Sequence, residues 1–387
     1  MSAKPFIYIH QRILTHYKTP LFNRLIISNR YDFVFIAGVA QKNDPRDIPT
    51  GTLPTLTVKN IYFRLPFFKK KFYWQSGLIR ILLSKPFSAF ITGAGPYNIT
   101  SWIVPIICKI RNIPLMLWSI GVMSGEKRIK KILRTIFLRP YDIILLYGNK
   151  AKEELIKWGF NENKLLVIYN SVGSIACDGY NQDNNEALGK LKEEYQIQPQ
   201  TRVIIHLGSL TKRKKIEFLL DAIRRLKEEG KSIRLFIIGA GDQMEPLKAR
   251  TSMHQLQSEV TFTGEIYDNQ RLSLLIRLGD LTVLPGNGGL AVIQSLAYGT
   301  PVLIHNNISN VQGPEVEAII EGKTGVRYCE GDIDGLLNKM KLLLYPESQK
   351  NVMKNNCINM IKEHYTPEYQ EKILYSAIER IISRDNE

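Results

Sequence analysis

Leu281-Thr282-Val283-Leu284-Pro285-Gly286-Asn287-Gly288-Gly289-Leu290, running on through Tyr298 to Gly299-Thr300-Pro301-Val302-Leu303-Ile304-His305, decides the fold. An apolar run too short for a helix is followed by a glycine-rich turn, a helical stretch over Leu290–Tyr298 and a second apolar run over Val302–His305. That order reads as strand, turn, helix, turn, strand, the crossover unit of a parallel sheet. Glycine lets the backbone of such a turn approach a ligand closely. The helix start behind it offers unpaired N–H groups and partial positive charge. A diphosphate suits that geometry, and so does a tight turn with no ligand.

The same alternation extends both ways. Apolar runs at Phe6–Ile9, Phe33–Ile36, Ala89–Thr92, Leu115–Trp118, Ile143–Tyr147 and Leu165–Ile168 read as strands of the first half, and Val203–Leu207, Leu235–Ile238 and Val260–Thr263 join the opening pair in the second. Near-continuous apolar runs fit parallel sheets covered on both faces. Residues 176–199 turn polar and read as a linker running into a short helix. The expectation is an α/β chain of two Rossmann-like domains, 1–175 and 200–365, with a cleft where the carboxyl ends of the two sheets face each other. A last segment, 366–387, carries a helix over Tyr369–Ile382.

At 387 residues, 44% hydrophobic and 23% charged, the chain is long enough for two cores and too apolar for disorder. Its four cysteines, Cys108, Cys177, Cys329 and Cys357, show no paired spacing, which points to a reducing compartment. No signal-peptide pattern is visible after Met1, and no apolar stretch reaches spanning length, Lys109 and Arg111 breaking the best one.

The net charge of +16 is uneven: residues 1–175 hold 26 Lys and Arg against 8 Asp and Glu. Two basic segments interleave cations with apolar residues, Arg64–Trp74 and Lys127–Arg139. In the second, Ile129, Ile132, Leu133, Ile136 and Phe137 recur at helical spacing. Such a helix lies on an anionic membrane surface, or packs on a core with a solvated basic face. A basic face also suits nucleic acid, but no recognition motif accompanies this one, and no nucleic-acid partner is expected.

Several turns of the second half carry ligand chemistry. Val203–Leu207 ends in Gly208-Ser209-Leu210-Thr211-Lys212-Arg213-Lys214-Lys215, four cations that can reach a phosphate or stay solvated. Leu235–Ile238 ends in Gly239-Ala240-Gly241, and Val260–Thr263 ends in Gly264-Glu265-Ile266-Tyr267, where Ile266 or Tyr267 can cover a flat base.

Taken in order, Gly208…Lys214, Gly239-Ala240-Gly241, Val260–Gly264, Pro285…Leu290 and Leu296–Val302 resemble the nucleotide-sugar domain of retaining glycosyltransferases of family 4, the glycosyl transferases group 1. The resemblance is specific over about 200–365 and looser before it, where Val167–Ser171 is similar to the segment closing the family's first domain. It implies the GT-B architecture, a nucleotide sugar bound by the second domain, an acceptor bound mainly by the first, and a last helix crossing back onto the first. Two family glutamates fall at Gly286 and Gln294, the usual arginine of the phosphate loop at Ser209, and a frequent strand-end histidine is missing at Trp118–Gly121. Pro285–Leu290 resembles instead a surface-polysaccharide subset with a PGN-x-GL turn, whose Pro-Glu-x-Glu-Ala element is matched by Pro314–Ala318.

The resemblance assigns roles. Lys214, helped by Arg213, stabilises the leaving diphosphate together with the N–H groups of Gly289 and Leu290. Gly208, Ser209, Lys212, Gly241, Ile266, Tyr267, Asn287, Gly288 and Gln294 line the donor, and Glu315 or Glu317 holds sugar hydroxyls. The glutamates equally suit a helix N-terminus. Arg12, His16 and Tyr17, in the loop after Phe6–Ile9, are the acceptor-side candidates; a lone loop histidine is also a common surface residue. No cofactor or metal is expected: the donor is a nucleoside diphosphate sugar, uridine favoured over guanosine, and Asp332-Ile333-Asp334 reads as a helix cap. The expected activity is transfer of a hexosyl or related sugar to a lipid-linked or surface-glycan acceptor (O-antigen, capsule or exopolysaccharide) at the inner face of a bacterial cell membrane. The alternative is a GT-B module that binds nucleotide or glycan without turnover.

Overall fold

The computed structural model describes residues 4–39, 53–64, 71–122, 128–173, 182–307, 312–345 and 350–383. Leu65–Lys70, Lys127 and residues 176–181 of the polar run therefore lie outside the described residues. The chain divides into two compact units, Met1–Ser171 with Pro367–Glu387, and Val172–Thr366.

The first unit is built on β1 (Phe6–Gln11), β2 (Asp32–Gly38), β3 (Thr55–Phe63), β4 (Phe72–Ser76), β5 (Ala89–Thr92), β6 (Leu115–Ser119), β7 (Ile143–Leu146) and β8 (Leu165–Val167). They form one sheet in the order β4-β3-β2-β1-β5-β6-β7-β8. All neighbours run parallel except β3 and β4, which pair antiparallel from Lys59↔Ser76 to Phe63↔Phe72. The sequence pattern hid that hairpin. β3 buries only Val58 fully, as a sheet's outer strand can, and the aromatic start of β4 sits inside what reads as a basic segment. His10 and Gln11, expected in a loop, belong to β1, where both are buried.

The helix Pro367–Ile382 belongs to this unit. It adds Leu374, Ala377, Ile378 and Ile381 to the core formed by Ile7, Ile9, Phe35, Ile91 and Trp118. Leu374 and Ile378 are fully buried, each contributing about 1.5–3 kcal/mol relative to exposure. Gln370 fixes the helix start, donating to the Tyr169 carbonyl at 2.7 Å and accepting from the Ser171 hydroxyl at 2.7 Å.

The second unit carries β9 (Arg202–Leu207), β10 (Ile233–Ile238), β11 (Val260–Gly264), β12 (Leu281–Leu284), β13 (Val302–His305) and β14 (Gly325–Tyr328), all parallel, in the order β11-β10-β9-β12-β13-β14. β14 escaped the sequence pattern because it is four residues long and includes Gly325 and Arg327. The helix Ile216–Glu228 shows why the helices cover the sheet: Ile216, Leu219, Leu220, Ile223 and Leu226 fall on one stripe and are buried against β9, β10 and β12.

Both sheets are doubly wound. The chain adds strands to one side of the first strand, then crosses to the other. The order reverses between β1 and β5 in the first unit and between β9 and β12 in the second. Ligands of open α/β sheets bind beyond the strand ends at such reversals.

Candidate functional site

At the reversal of the second unit, the turns after β9 and β12 are pressed together. A Cβ on Gly286 would overlap the Arg213 carbonyl oxygen and lie 2.6 Å from the Lys214 carbonyl carbon. No residue with a side chain fits there. The Asn287 N–H donates to the Arg213 carbonyl at 3.2 Å. The contact delivers the Lys214 ammonium onto the glycine turn, where Nζ donates to the Asn287 carbonyl at 2.5 Å and the Gly288 carbonyl at 3.3 Å. Gly208, with φ of +131°, passes beneath: a Cβ there would stand 3.2 Å from the same Nζ. Burial, reinforced by the Arg213 guanidinium and opposed by Glu315, lowers the Lys214 pKa to about 8.

The turn has its own support. Gln312, buried, accepts from the Gly288 N–H at 2.8 Å and donates to the Gly286 carbonyl at 3.0 Å. These two bonds fix the orientation of its amide, whose nitrogen also lies 2.7 Å from His305 Nε2. Burial lowers the His305 pKa, which favours the neutral ring, and its Nδ1 accepts from the Asn307 N–H at 3.2 Å. Gln312 could not be singled out from the sequence, because an amide seven residues beyond the end of β13 has no spacing rule.

Gly289, with φ of +60°, opens the helix Leu290–Ala297, and no side chain caps that helix. Its first N–H groups stay available to an anion. Ala291, Val292, Ile293, Ser295, Leu296 and Ala297 are buried, whereas Leu290 and Gln294 are half-buried and share the open face one turn apart.

The other second-unit candidates are placed unequally. Arg213 and Lys212 are exposed in the short 3-10 turn Lys212–Lys214, and Ser209 is exposed beside them. Lys215, the last of the four cations, is held by Glu330 at 2.6 Å. Gly241 serves packing, since a Cβ there would lie 2.7 Å from the Leu210 carbonyl carbon. Glu315 and Glu317 stand in the 3-10 turn Pro314–Ala318 rather than at an α-helix start; Glu315 is buried, and its charge is felt by Lys214. Ile266 is half-buried, and Tyr267 is 76% exposed with its hydroxyl donating to Glu265 at 2.5 Å. His206, fully buried below the rim, donates from Nδ1 to the Val283 carbonyl at 3.0 Å. Burial lowers its pKa to about 4, so it stays neutral.

In the first unit, Arg12 is half-buried, and its carbonyl accepts from Gly38 N–H and Asn60 Nδ2, both at 3.0 Å. His16 is exposed, edge-on to the Tyr17 ring at 5.8 Å. The residue beside them, Lys18, is the one the sequence missed. It is buried, with Nζ 3.2 Å from Gln11 Oε1 and 4.3 Å from the centre of the Trp118 ring. A lysine in a polar loop ordinarily reads as solvated.

The helix Arg128–Leu138 buries Phe137 and Leu138, while Ile129 is 75% exposed and Ile132, Leu133 and Ile136 are each more than half exposed. Among the described residues, no helix is long and apolar enough to cross a membrane, and no group of three His, Cys, Asp or Glu is placed to hold a metal. Asp332 caps the helix Ile333–Leu344, accepting from the Gly335 N–H at 2.9 Å.

Comparison with known proteins fits this geometry. Residues 189–360 match the family model for Glycosyl transferases group 1. The alpha-monoglucosyldiacylglycerol synthase of Streptococcus pneumoniae is 24% identical over 205 residues, which cover 52% of this chain and 45% of that protein. The N-acetyl-alpha-D-glucosaminyl L-malate synthase of Bacillus anthracis is 25% identical over 285 residues, 68% of this chain and 71% of that one. The chain thus spans less than half the length of the first of these relatives. A crystal structure of Anabaena HepE in complex with UDP superposes with a TM-score of 0.73 at 14% identity, covering 97% of this chain and all of that one. The fold is that of the GT-B glycosyltransferases.

Proposed function

We propose that this chain, whose second unit carries the group 1 glycosyl transferase match, is a retaining glycosyltransferase. It moves a sugar from a nucleoside diphosphate, uridine favoured, to a lipid-linked or surface-glycan hydroxyl. One observation carries the proposal: the half-desolvated Lys214 ammonium rests on neutral carbonyls of the glycine turn, in front of an uncapped helix. A diphosphate oxygen is a better partner for that ammonium than a carbonyl is.

Breaking the glycosyl–phosphate bond leaves negative charge on the diphosphate while the sugar gains oxocarbenium character. Lys214 and the N–H groups of Gly289 and Leu290 receive that charge, with Arg213 reaching in from the exposed turn. The acceptor hydroxyl attacks the face from which the diphosphate departs and passes its proton to the leaving phosphate. No protein nucleophile is required, and no metal or cofactor takes part. Gln294, on the open face of the helix, meets the ribose, as donor or acceptor. Glu315 or Glu317 meets sugar hydroxyls. Gly286, where a glutamate stands in the family pattern, serves by its lack of a side chain: it lets the turn seat Lys214.

The acceptor is assigned to the first unit, where Arg12, His16 and Tyr17 lie after β1. A lipid-linked acceptor accords with the glycolipid name of the Streptococcus relative. The exposed isoleucines among the cations of Arg128–Leu138 suit an anionic membrane surface, on which the protein would sit peripherally.

The test is a panel of UDP- and GDP-sugars against lipid-linked acceptors, read as released nucleoside diphosphate. Release in one pairing supports the enzyme. Nucleotide binding without release in any pairing supports a binding module instead.

A further inference from the structure

The carboxyl edge of the first sheet carries a second buried ammonium. β1, β5, β6 and β7 are contiguous there. Gln11 ends β1, Gly93 follows β5, Trp118 is next to last in β6, and Tyr147 follows β7. Lys18, in the turn after β1, places Nζ 3.2 Å from Gln11 Oε1, 4.3 Å from the Trp118 ring centre and 5.8 Å from that of Tyr147. Gly93 closes over Gln11: a Cβ there would lie 2.6 Å from Gln11 Oε1. The ammonium is therefore surrounded by two aromatic faces and one neutral amide.

Two polar atoms of this cluster, Gln11 Nε2 and Trp118 Nε1, are buried without a hydrogen-bond partner. Orphaned buried donors are rare, and here they accompany a desolvated cation at the point where the strand order reverses. Two N–H donors and an ammonium, with no carboxylate among these partners, ask for a ligand that accepts hydrogen bonds and carries negative charge.

We propose that Lys18, Gln11 and Trp118 form an oxyanion subsite of the first unit, which takes a phosphate or carboxylate group carried by the acceptor. The acceptor role rests on the glycosyl-transfer proposal; the subsite itself does not. Phosphate and carboxylate share the required chemistry, and the test separates them.

Burial alone lowers the Lys18 pKa, to about 7. The titratable groups around it are His16 and Tyr17 in its own turn, Tyr147 beyond β7, Arg24 in the following helix and His10 in β1. Arg24 is held by Glu368 and Glu371. The ring nitrogens of His10 are taken by Thr92 and Gln75, and burial lowers its pKa to about 4. None of these groups contributes to the Lys18 shift. An oxyanion selects the ammonium form, so its affinity falls as pH rises through about 7, and binding raises the Lys18 midpoint.

The experiment is NMR of the full chain labelled with ¹³Cε-lysine, with Lys18 assigned through Lys18→Arg. Inorganic phosphate and acetate are titrated separately at constant ionic strength, with chloride as the control. The Lys18 midpoint should rise by about one pH unit with the preferred anion and stay in place in chloride. Trp118→Phe, which keeps the aromatic face and loses the donor, should weaken that anion severalfold. A Lys18 midpoint unmoved by both anions up to 50 mM, or moved equally by chloride, overturns the subsite. UDP added to the same sample reports on Lys214, so failure of the donor proposal is read at a different resonance.

Discussion

Gly286→Ala is the substitution that most sharply separates a seated Lys214 from a merely nearby one. The added methyl has nowhere to go: its position overlaps the Arg213 carbonyl oxygen and lies 2.6 and 2.7 Å from Lys214 backbone carbons. These are main-chain atoms, so no rotamer change relieves the overlap. One of the two turns must move by roughly an ångström, breaking the Asn287-to-Arg213 hydrogen bond and drawing Lys214 off the Asn287 carbonyl. Overpacking of this kind costs about 1–3 kcal/mol. The lost backbone hydrogen bond adds roughly 1 kcal/mol. The midpoint of thermal unfolding should fall by several degrees, since about 1 kcal/mol corresponds to about 2–4 °C in a domain of this size. UDP affinity, measured by calorimetry, should fall about tenfold or more as the ammonium loses its place. Gly286→Glu, which restores the carboxylate of the family pattern, should do no better, because its Cβ meets the same obstruction. If Gly286→Ala keeps wild-type stability and wild-type UDP affinity, the packing of the two turns is not what positions Lys214.

Other outcomes follow from the same geometry. Lys214→Met should lower the transfer rate by about 10²-fold or more while leaving the fold intact, and wild-type turnover in that variant removes Lys214 from the mechanism. Because the anion prefers the ammonium form and burial lowers the Lys214 pKa to about 8, UDP affinity should decline as pH rises through about 8; a flat profile from pH 7 to 9 contradicts this. Gln312→Ala leaves the Gly286 carbonyl and Gly288 N–H without their buried partner, so a loss of about 1–3 kcal/mol is expected in urea unfolding. Pelleting with anionic vesicles at low salt should succeed, weaken as salt rises, and fail for Ile129→Asp with Ile132→Asp; equal binding by that double variant would acquit the Arg128–Leu138 face.

The strands whose ends the sequence placed best are buried along their whole length. Ala89–Thr92, Leu281–Leu284 and Val302–His305 keep the bounds their apolar runs suggest. β3 and β4 stayed hidden because an outer hairpin need not bury a continuous run. The site divides in the same way. The glycine turn is local in sequence, so Pro285–Leu290 and Lys214 could be singled out. Partnerships between distant residues could not: Gln312 with the turn and Glu330 with Lys215 each depend on strands being brought side by side. Lys18 was passed over for a different reason. Its burial is decided by Trp118 and Tyr147, a hundred or more residues away in the chain.

A crystal structure of the protein soaked with UDP tests the donor site most directly. The expected result is a β-phosphate within hydrogen-bond distance of Lys214 Nζ and of the Gly289 or Leu290 N–H, with the ammonium released from the Asn287 carbonyl. UDP bound elsewhere, or Lys214 still resting on Asn287 and Gly288 beside an empty turn at saturating nucleotide, would contradict it.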